Sequence, residues 1–227
     1  MPGTLFLVST PIGNYDDITY RALSILKSAE VIVYEERKEG QRFLSHYGIP
    51  EKVVESLNEH NEAAASFHIL EHLRQGKNVA LISDAGTPVF SDPGQILVRK
   101  AIDQNFKIVP IPGASSLLPA LTVCGFPIDQ FLFYGFLSPK ANRRISELRH
   151  LHNERRTMVF MDTPYRLVAL LKDIAGIFGD GRRICVAFNL TMADEQIFRG
   201  KAIDLFRQFE KKNMKGEFVI VVEGSGA

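Results

Sequence analysis

The chain has 227 residues, of which 45% are hydrophobic and 23% charged, and its formal net charge is +1. This composition is typical of a globular protein with one large or two small domains, and it excludes nucleic-acid binding by global charge alone. No apolar run approaches the roughly 20 residues that cross a bilayer, and the N-terminus has no basic leader. With Cys124 and Cys185 as its only cysteines, the sequence predicts a reduced cytoplasmic protein without a membrane partner.

The first 76 residues predict alternating strands and helices. In chain order we expect a strand over 5–8, a helix over 18–29, a strand over 31–33, a helix ending at Gly48, and a helix over 63–75. A polar loop containing Pro11 and Gly13 follows the first strand, and Asp16 and Asp17 suit a helix start. This is a strand–loop–helix unit with its polar loop at the end of the strand.

The segment over 79–94 repeats that arrangement and dominates the sequence. Residues 79–82 read V-A-L-I, which predicts a buried strand, and residues 83–94 read S-D-A-G-T-P-V-F-S-D-P-G. Apolar residues at helical spacing return after Gly94. In open α/β sheets ligands bind beyond the carboxyl ends of the strands. Turn capping would explain some of these polar residues, but the loop is longer than an ordinary connection and favours a binding role.

The next predicted strand, over 107–111, ends in the loop P-G-A-S-S of residues 112–116. We expect Ser115 or Ser116 to cap the following helix. The free backbone N–H groups at that helix start make this the third candidate ligand-binding loop.

The second half continues the α/β pattern after a break at residues 125–130. We expect strands over 131–136, 157–161, 183–188, 196–200 and 218–222, and helices over 143–153, 167–178 and 202–212. The predicted fold class is therefore α/β.

Several common catalytic signatures are missing from the sequence. It contains no G-x-G-x-x-G, no G-x-x-x-x-G-K-[ST], no H-E-x-x-H and no G-x-S-x-G, which argues against the corresponding nucleotide, zinc and hydrolase sites. No Cys/His set has zinc spacing, so no metal site is predicted. The reaction is not readable from spacing alone.

Four segments together resemble a known family. They are V-S-T-P-I-G-N-Y-D-D-I-T at 8–19, L-I-S-D-A-G-T-P-V-F-S-D-P-G at 81–94, P-I-P-G-A-S-S at 110–116 and K-G-E-F-V-I-V-V-E-G at 215–224. They resemble the tetrapyrrole methylase superfamily, and within it the bacterial 2'-O-methyltransferases of small-subunit ribosomal RNA. The resemblance covers nearly the whole chain, and the long loop at 83–94 is its most specific part.

The resemblance implies a fold, a cofactor and an acceptor. It implies two α/β domains, over 1–113 and 114–227, with S-adenosylmethionine (SAM) in the cleft between them, and a homodimer. The implied reaction is 2'-O-methylation of a decoding-centre cytidine in 16S ribosomal RNA, so the partner would be small-subunit ribosomal RNA or the small ribosomal subunit.

The resemblance also implies cofactor-binding residues. Pro11 would line the cofactor, while the second loop would hold its methionine end or ribose. The third loop would contact it, and residues of the second domain would close over the adenosine. The implied set is Pro11, Ser83, Asp84, Ala85, Gly86, Ser115, Ser116, Met161, Leu190 and Glu217.

Three motifs depart from that branch of the family. Residues 35–38 read E-E-R-K where relatives usually carry E-D-T-R, and residues 162–166 read D-T-P-Y-R in place of E-S-P-x-R. Residues 188–192 read F-N-L-T-M in place of R-E-L-T-K. SAM binding is expected to withstand these changes better than RNA specificity does.

A ribose 2'-hydroxyl is a weak nucleophile until its proton leaves, so a general base would help. The candidates are Asp84, Glu36, His60 and Glu62. Each also has a structural alternative, as a cofactor ligand, a turn residue or an ion-pair partner, and the catalytic residue stays open.

Basic residues of the second half are candidates for phosphate contacts, with a solvated helix face as the alternative. They are Arg143, Arg144, Arg149, His150, His152, Arg155, Arg156, Arg182, Arg183, Lys211, Lys212 and Lys215.

Two other functions stay open at this point. One is a C-methyltransferase acting on a tetrapyrrole of the uroporphyrinogen type, which would need a deep pocket for an anionic macrocycle. The other is a SAM-binding protein that has lost catalysis, a hypothesis motivated by the altered segments at 35–38 and 189–192.

Overall fold

A computed structural model describes residues 1–50, 52–212 and 214–226. The chain divides into two units, Met1–Ser115 and Ser116–Ala227, and each contains one five-stranded sheet with helices. The predicted α/β class is therefore confirmed.

The first unit alternates strands and helices. Its elements are β1 (Thr4–Val8), a 3-10 turn (Tyr15–Asp17), α1 (Tyr20–Ser28), β2 (Val31–Tyr34), α2 (Arg37–His46), β3 (Val53–Ser56), α3 (Glu62–Arg74), β4 (Val79–Ile82), α4 (Gln95–Asp103) and β5 (Lys107–Ile111).

The sheet of the first unit is parallel throughout, in the order β3-β2-β4-β1-β5. Val8, at the end of β1, pairs with Ile82 of β4 and with Ile111 of β5. The three strands therefore end level with one another, and the loops that follow them start at one edge of the sheet.

Helices cover both faces of this sheet, which explains its continuous apolar strands. Leu5, Val31 and Leu81 lie in one buried cluster with residues of α3 and α4. Val8 and Ile82 lie in the other, with residues of α1 and α2. The side chains of alternate residues in each strand thus pack on opposite faces of the sheet.

The second unit begins with a helix. Its elements are α5 (Leu117–Cys124), β6 (Phe131–Phe136), α6 (Ala141–His150), β7 (Thr157–Asp162), a 3-10 turn (Pro164–Arg166), α7 (Leu167–Phe178), β8 (Arg183–Phe188), β9 (Gln196–Lys201), α8 (Ala202–Lys212) and β10 (Phe218–Val222).

The sheet of the second unit is mixed, in the order β6-β7-β10-β8-β9. β6 and β7 are parallel, whereas β10 is antiparallel to β7 and to β8. Phe218 at the start of β10 pairs with Asp162 and with Phe188. The end of β7, the start of β10 and the end of β8 therefore meet at one edge, and α6, α7 and α8 contribute to the core over one face.

Local structure differs from the sequence prediction in four places. The edge strand β3 was not predicted. α1 begins at Tyr20 because the Thr19 side chain accepts the N–H of Ala22 at 3.0 Å, while Asp16 and Asp17 lie in the preceding 3-10 turn. α6 ends at His150. Of the two residues predicted to cap α5, Ser116 directly precedes the helix, but its side chain makes no cap hydrogen bond.

Across the described residues, none of the helices combines the length and the hydrophobicity that a membrane span requires.

Candidate cofactor-binding site

The loops after β1 and β4 are joined by their backbones. Thr10 N–H donates to the Gly86 carbonyl at 2.8 Å, and Gly86 N–H donates back to the Thr10 carbonyl at 3.1 Å. The Thr10 hydroxyl adds a third bond, to the Ser83 carbonyl at 3.0 Å. Gly86 has φ +88°, a conformation that glycine adopts without steric cost.

The loop after β5 joins the same group. Ser9 N–H donates to the Ile111 carbonyl at 3.2 Å, and the hydroxyls of Ser9 and Thr87 lie 3.1 Å apart. The Thr87 hydroxyl also contacts the Ala114 carbonyl at 3.4 Å. A Cβ on Gly113 would lie 2.8 Å from the Ser9 Cβ, so the close approach of these loops requires glycine there. The three candidate loops form one connected group, as their sequence positions predicted.

The loop over 83–94 is stiffened from inside by a hydroxyl–carboxylate pair. The buried Ser83 hydroxyl donates to Asp92 Oδ2 at 2.5 Å and accepts the Ala85 N–H at 3.2 Å. Val89 and Ser91 hold left-handed backbone conformations with φ +70° and +68°, which cost free energy in non-glycine residues. The loop therefore has a defined shape that its internal contacts maintain.

Three carboxyl groups at this sheet edge have raised pKa values. Partial desolvation is the largest cause of the raised pKa of Glu35, of Asp84 and of Asp92, although Asp84 is exposed as a residue. Asp92 and Asp84 raise the pKa of Glu35 further by charge repulsion, whereas the Glu36 N–H, 3.4 Å from Asp84 Oδ1, lowers that of Asp84. The sequence did not single out Glu35 or Asp92. Their positions directly after β2 and in the S-D-P-G turn are the signals that could have identified them.

The predicted cofactor residues of the first unit lie on these connected loops. Pro11, Ser83 and Gly86 are buried, while Asp84 and Ala85 are exposed. Ser115, the last residue of the first unit, and Ser116, the first residue of the second, are half-buried and end the third loop. The first unit thus presents Ala85 and the exposed residue Asp84 above buried residues of the same loops.

Three of the candidate bases have structural contacts that account for them. Glu62 Oε1 accepts the N–H groups of Gly94 and Ile96, both at 2.8 Å, and so caps the start of α4. Glu36 precedes α2, and its side chain accepts from Lys38 N–H. The His60 side chain is 85% exposed, with Nε2 3.4 Å from Glu59 Oε1.

The predicted cofactor residues of the second unit share one edge of its sheet. Met161 lies near the end of β7, the buried Leu190 follows β8, and Glu217 directly precedes β10. The Glu217 carbonyl accepts the Asn189 N–H at 2.8 Å. Although Glu217 is exposed as a residue, partial desolvation raises the pKa of its carboxyl group.

Comparison with known proteins identifies the family. The sequence pattern of the family described as Tetrapyrrole (Corrin/Porphyrin) Methylases matches residues 4–205. The chain belongs to this family. The predicted family is confirmed, and so is the prediction that this tetrapyrrole methylase is a methyltransferase with SAM as its methyl donor.

Named relatives align with this tetrapyrrole methylase over nearly its whole length. The ribosomal RNA small subunit methyltransferase I of Xylella fastidiosa is 41% identical over 226 residues, which are 99% of this chain and 82% of that protein. The protein of the same name from Thermotoga maritima is 40% identical over 222 residues, 98% of this chain and 99% of that one.

Solved structures support the fold alone, because their sequences are distant. Native uroporphyrin III C-methyltransferase from Thermus thermophilus has a TM-score of 0.67 at 18% identity, covering 97% of each chain. A diphthine synthase has a TM-score of 0.71 at 17% identity, covering 97% of this chain and 89% of its own.

Three acidic residues of this tetrapyrrole methylase suit the positive charges and hydrogen-bond donors that SAM carries. The cofactor carries an ammonium group, a sulfonium charge and ribose hydroxyls, all of which suit carboxylate and carbonyl acceptors. Asp84, Asp92 and Glu35 place such acceptors at the edge where the connected loops begin. Within the described part of the chain, no group of three or more His, Cys, Asp or Glu side chains could hold a metal ion.

One predicted phosphate contact is wrong. Arg144 is buried, its Nε donating to Asp173 Oδ2 at 2.7 Å and its Nη1 lying near the Ser138 and Pro139 carbonyls. An arginine held this way has no free face for an RNA phosphate. The neighbouring Arg143 keeps 76% of its side chain exposed.

The basic residues considered as phosphate contacts do not share one helix. Arg155 and Arg156 lie beyond α6, directly before β7, which is the opposite edge of the sheet from Met161. Arg156 binds both oxygens of Glu154 and helps to lower the pKa of that carboxyl to about 2.

Arg183, at the start of β8, likewise pairs with Glu223, and Arg182 donates to the carbonyls of Glu223 and His152. Arginines at this edge hold neighbouring chain segments together.

Proposed function

We propose that this tetrapyrrole methylase transfers the methyl group of SAM to small-subunit ribosomal RNA. The supporting observation is identity of about 40% over nearly the whole chain with proteins named ribosomal RNA small subunit methyltransferase I. The proposed atom is the 2'-oxygen of a decoding-centre cytidine, as the sequence resemblance implies. Such an acceptor supports a cytoplasmic enzyme.

The connected loops are proposed to bind SAM, which supplies an activated methyl group when bound. Asp84, exposed on the second loop, is proposed to hold a cationic or hydroxyl group of the cofactor. Ser83 and Asp92 are proposed to keep that loop in shape through their mutual hydrogen bond. Met161, Leu190 and Glu217 are proposed to contact the adenosine. Because the methyl group is already activated, the main work of the protein is to position the two reactants.

Asp84 is also the best remaining candidate for a general base. Glu62 caps α4, Glu36 caps α2, and His60 lies in water beside Glu59. Burial and the nearby Glu39, Glu36 and Asp92 raise the pKa of Asp84, and a raised pKa makes a carboxylate a stronger base. Asp84→Asn is expected to lower kcat by about 100-fold or more if the base assignment is right.

The deciding experiment offers methyl-labelled SAM to the protein with small ribosomal subunits, naked 16S ribosomal RNA or uroporphyrinogen. We expect label in RNA, in a dinucleotide that resists alkaline hydrolysis because its 2'-oxygen is methylated. Label in uroporphyrinogen alone would replace the proposal with the tetrapyrrole reaction. SAM binding without any transfer would favour the non-catalytic alternative.

A homodimer is proposed from the family resemblance. Sedimentation at micromolar concentration is expected to give twice the 25.5 kDa of one chain. A single species of 25.5 kDa would contradict the dimer but would leave the proposed reaction intact.

A further inference from the structure

One edge of the second unit's sheet exposes two aromatic rings. Phe136, the last residue of β6, is 50% exposed, and Tyr165, in the 3-10 turn after β7, is 83% exposed. Phe136 pairs with Met161 of β7, so both rings belong to the edge at which β7 ends. Exposed aromatic side chains at a shared edge commonly mark an interaction surface.

Cationic side chains accompany these rings. Lys215 Nζ lies 5.8 Å from the centre of the Tyr165 ring, in a cation–π contact. Lys140 and Arg143, both exposed, lie at and just after the start of α6, the helix that follows β6. We call the surface formed by Phe136, Lys140, Tyr165 and Lys215 the aromatic edge. Arg143 flanks it, with its Nε 3.5 Å from Glu147 Oε1.

The backbone beneath the aromatic edge is held firmly. Arg166 Nη2 donates to the Ser138 carbonyl at 2.8 Å and to the Leu137 carbonyl at 3.2 Å. Glu147 Oε2 accepts the Ser138 N–H at 2.8 Å. Arg166 also pairs with the buried Asp162 at 3.0 Å. The loop after β6 and the turn after β7 are thereby tied to each other, which limits the entropy lost when a ligand binds there.

We infer that the aromatic edge binds single-stranded RNA next to the methylated nucleotide, with a base stacked on Tyr165 and phosphates near Lys215 and Lys140. This inference rests on the proposed function. Unpaired RNA bases stack on aromatic side chains, and nearby cations neutralise the backbone. Lysine is depleted at protein–protein interfaces, so the lysines around Tyr165 favour RNA over a second copy of the chain.

The position of the aromatic edge suits this role. It lies at the same sheet edge as Met161 and Glu217, the residues proposed to contact the adenosine, so RNA bound there approaches from the side of the methyl donor. At the opposite edge Arg156 and Arg183 are engaged with Glu154 and Glu223. That edge provides control positions.

The first test replaces Tyr165 and measures the affinity of the full chain for a single-stranded oligonucleotide spanning the methylated position of 16S ribosomal RNA. Tyr165→Ala is expected to weaken binding by roughly 5- to 100-fold, the range for loss of one stacked base. Tyr165→Phe keeps the ring and should bind within about threefold of wild type. Tyr20→Ala, at a tyrosine that is 94% exposed in the first unit, should change nothing.

The second test addresses the phosphates. Lys215→Gln should reduce the slope of log affinity against log salt by about 0.7, the value for one phosphate contact to a single strand. Lys201→Gln, at an exposed lysine of the opposite edge, should leave the slope unchanged. SAM affinity, measured by calorimetry, should stay at the wild-type value in all these variants.

Three outcomes would overturn the inference while the proposed function stands. One is wild-type RNA affinity in Tyr165→Ala and Lys215→Gln. Another is loss of SAM affinity equal to the loss of RNA affinity. The third is dissociation of a dimer by Tyr165→Ala with unchanged RNA binding, which would assign the edge to a second copy of the chain. Failure of the wild-type protein to methylate any RNA would instead overturn the proposed function.

Discussion

Thr10 and Gly86 exchange two backbone hydrogen bonds, at 2.8 and 3.1 Å, across loops that are 76 residues apart in the sequence. This small antiparallel bridge continues the pairing of β1 with β4 beyond the parallel sheet. It fixes the second loop against the first at the position where Ser83, Asp84 and Ala85 are proposed to meet the cofactor.

Gly86→Ala should therefore impair SAM binding as well as stability. The φ of +88° is unfavourable for alanine, and the new Cβ would lie 3.3 Å from Ile12 Cγ2. We expect a loss of about 1–2 kcal/mol in the free energy of unfolding and at least a tenfold loss of SAM affinity by calorimetry.

Gly48→Ala is the matched control for that variant. Gly48 also has a left-handed backbone, with φ +60°, but nothing lies within 4 Å of an added Cβ. It should lose similar stability and keep its SAM affinity. Equal SAM affinity in both variants would refute a role for the bridge in cofactor binding.

Glu62 is expected to act on stability and not on chemistry. Its carboxylate accepts two N–H groups at the start of α4, where Gly94 offers no side chain of its own. Glu62→Ala should lower the free energy of unfolding by about 1 kcal/mol. Glu62→Gln keeps an acceptor oxygen and should lose less. A drop of 100-fold in kcat for a stably folded Glu62→Gln would instead identify Glu62 as the general base.

Substitutions of the neighbouring residues Arg143 and Arg144 are expected to change the free energy of unfolding by very different amounts. Arg144 has 8% of its side chain exposed and pairs with Asp173, so Arg144→Gln leaves a carboxylate without its partner and should cost about 3–5 kcal/mol. Arg143→Gln, at a largely exposed side chain, should change stability by about 0.5 kcal/mol or less. Urea denaturation of the two variants measures the difference, and equal midpoints would contradict the structural role of Arg144.

Stability should depend on pH through the carboxyl groups near the connected loops. The folded-state pKa values of Glu35, Asp84 and Asp92 are raised, so the native state binds protons more tightly than the unfolded state. The contribution of these groups to the free energy of unfolding should therefore fall as pH rises from their ordinary values through the raised ones.

Asp92→Asn should reduce that dependence, because it removes one of the three titrating groups. Chemical denaturation between about pH 4 and 7 would show a shallower decline than in wild type. Asp180→Asn, at an exposed position of the second unit, serves as the control. An unchanged pH profile in Asp92→Asn would show that Asp92 does not contribute to the dependence.

The parts of the fold that the sequence predicted are those with strong local signals. β1, β4 and β5 are apolar runs that end in Pro/Gly-rich loops. Because all strands of a parallel sheet run in the same direction, the loops that follow them lie at the same end of the sheet. β3 was missed because Val53 and Val54 lie on an edge strand, are 49% and 39% exposed, and are followed by polar residues. A half-exposed edge strand carries little periodic signal.

The contacts of individual charged residues could not be predicted because their partners are distant in the sequence. Glu62 caps a helix 32 residues away, and Arg144 pairs with Asp173, 29 residues away. Periodicity indicated a basic helix but not that one of its arginines points into the unit's interior. The influence of Asp84 and Asp92 on Glu35 was overlooked for the same reason, since only the folded sheet brings Glu35 near the loop over 83–94.

The register of β1 has a consequence for synthesis of the chain. Leu5 pairs with Val79 on one side and with Ile108 on the other, so during synthesis β1 has no partner strand until β4 has been made. At about 5–20 residues per second this wait lasts roughly 4–15 s. During that interval the apolar side chains of β1 depend on chaperones or on transient local contacts to stay out of aggregates.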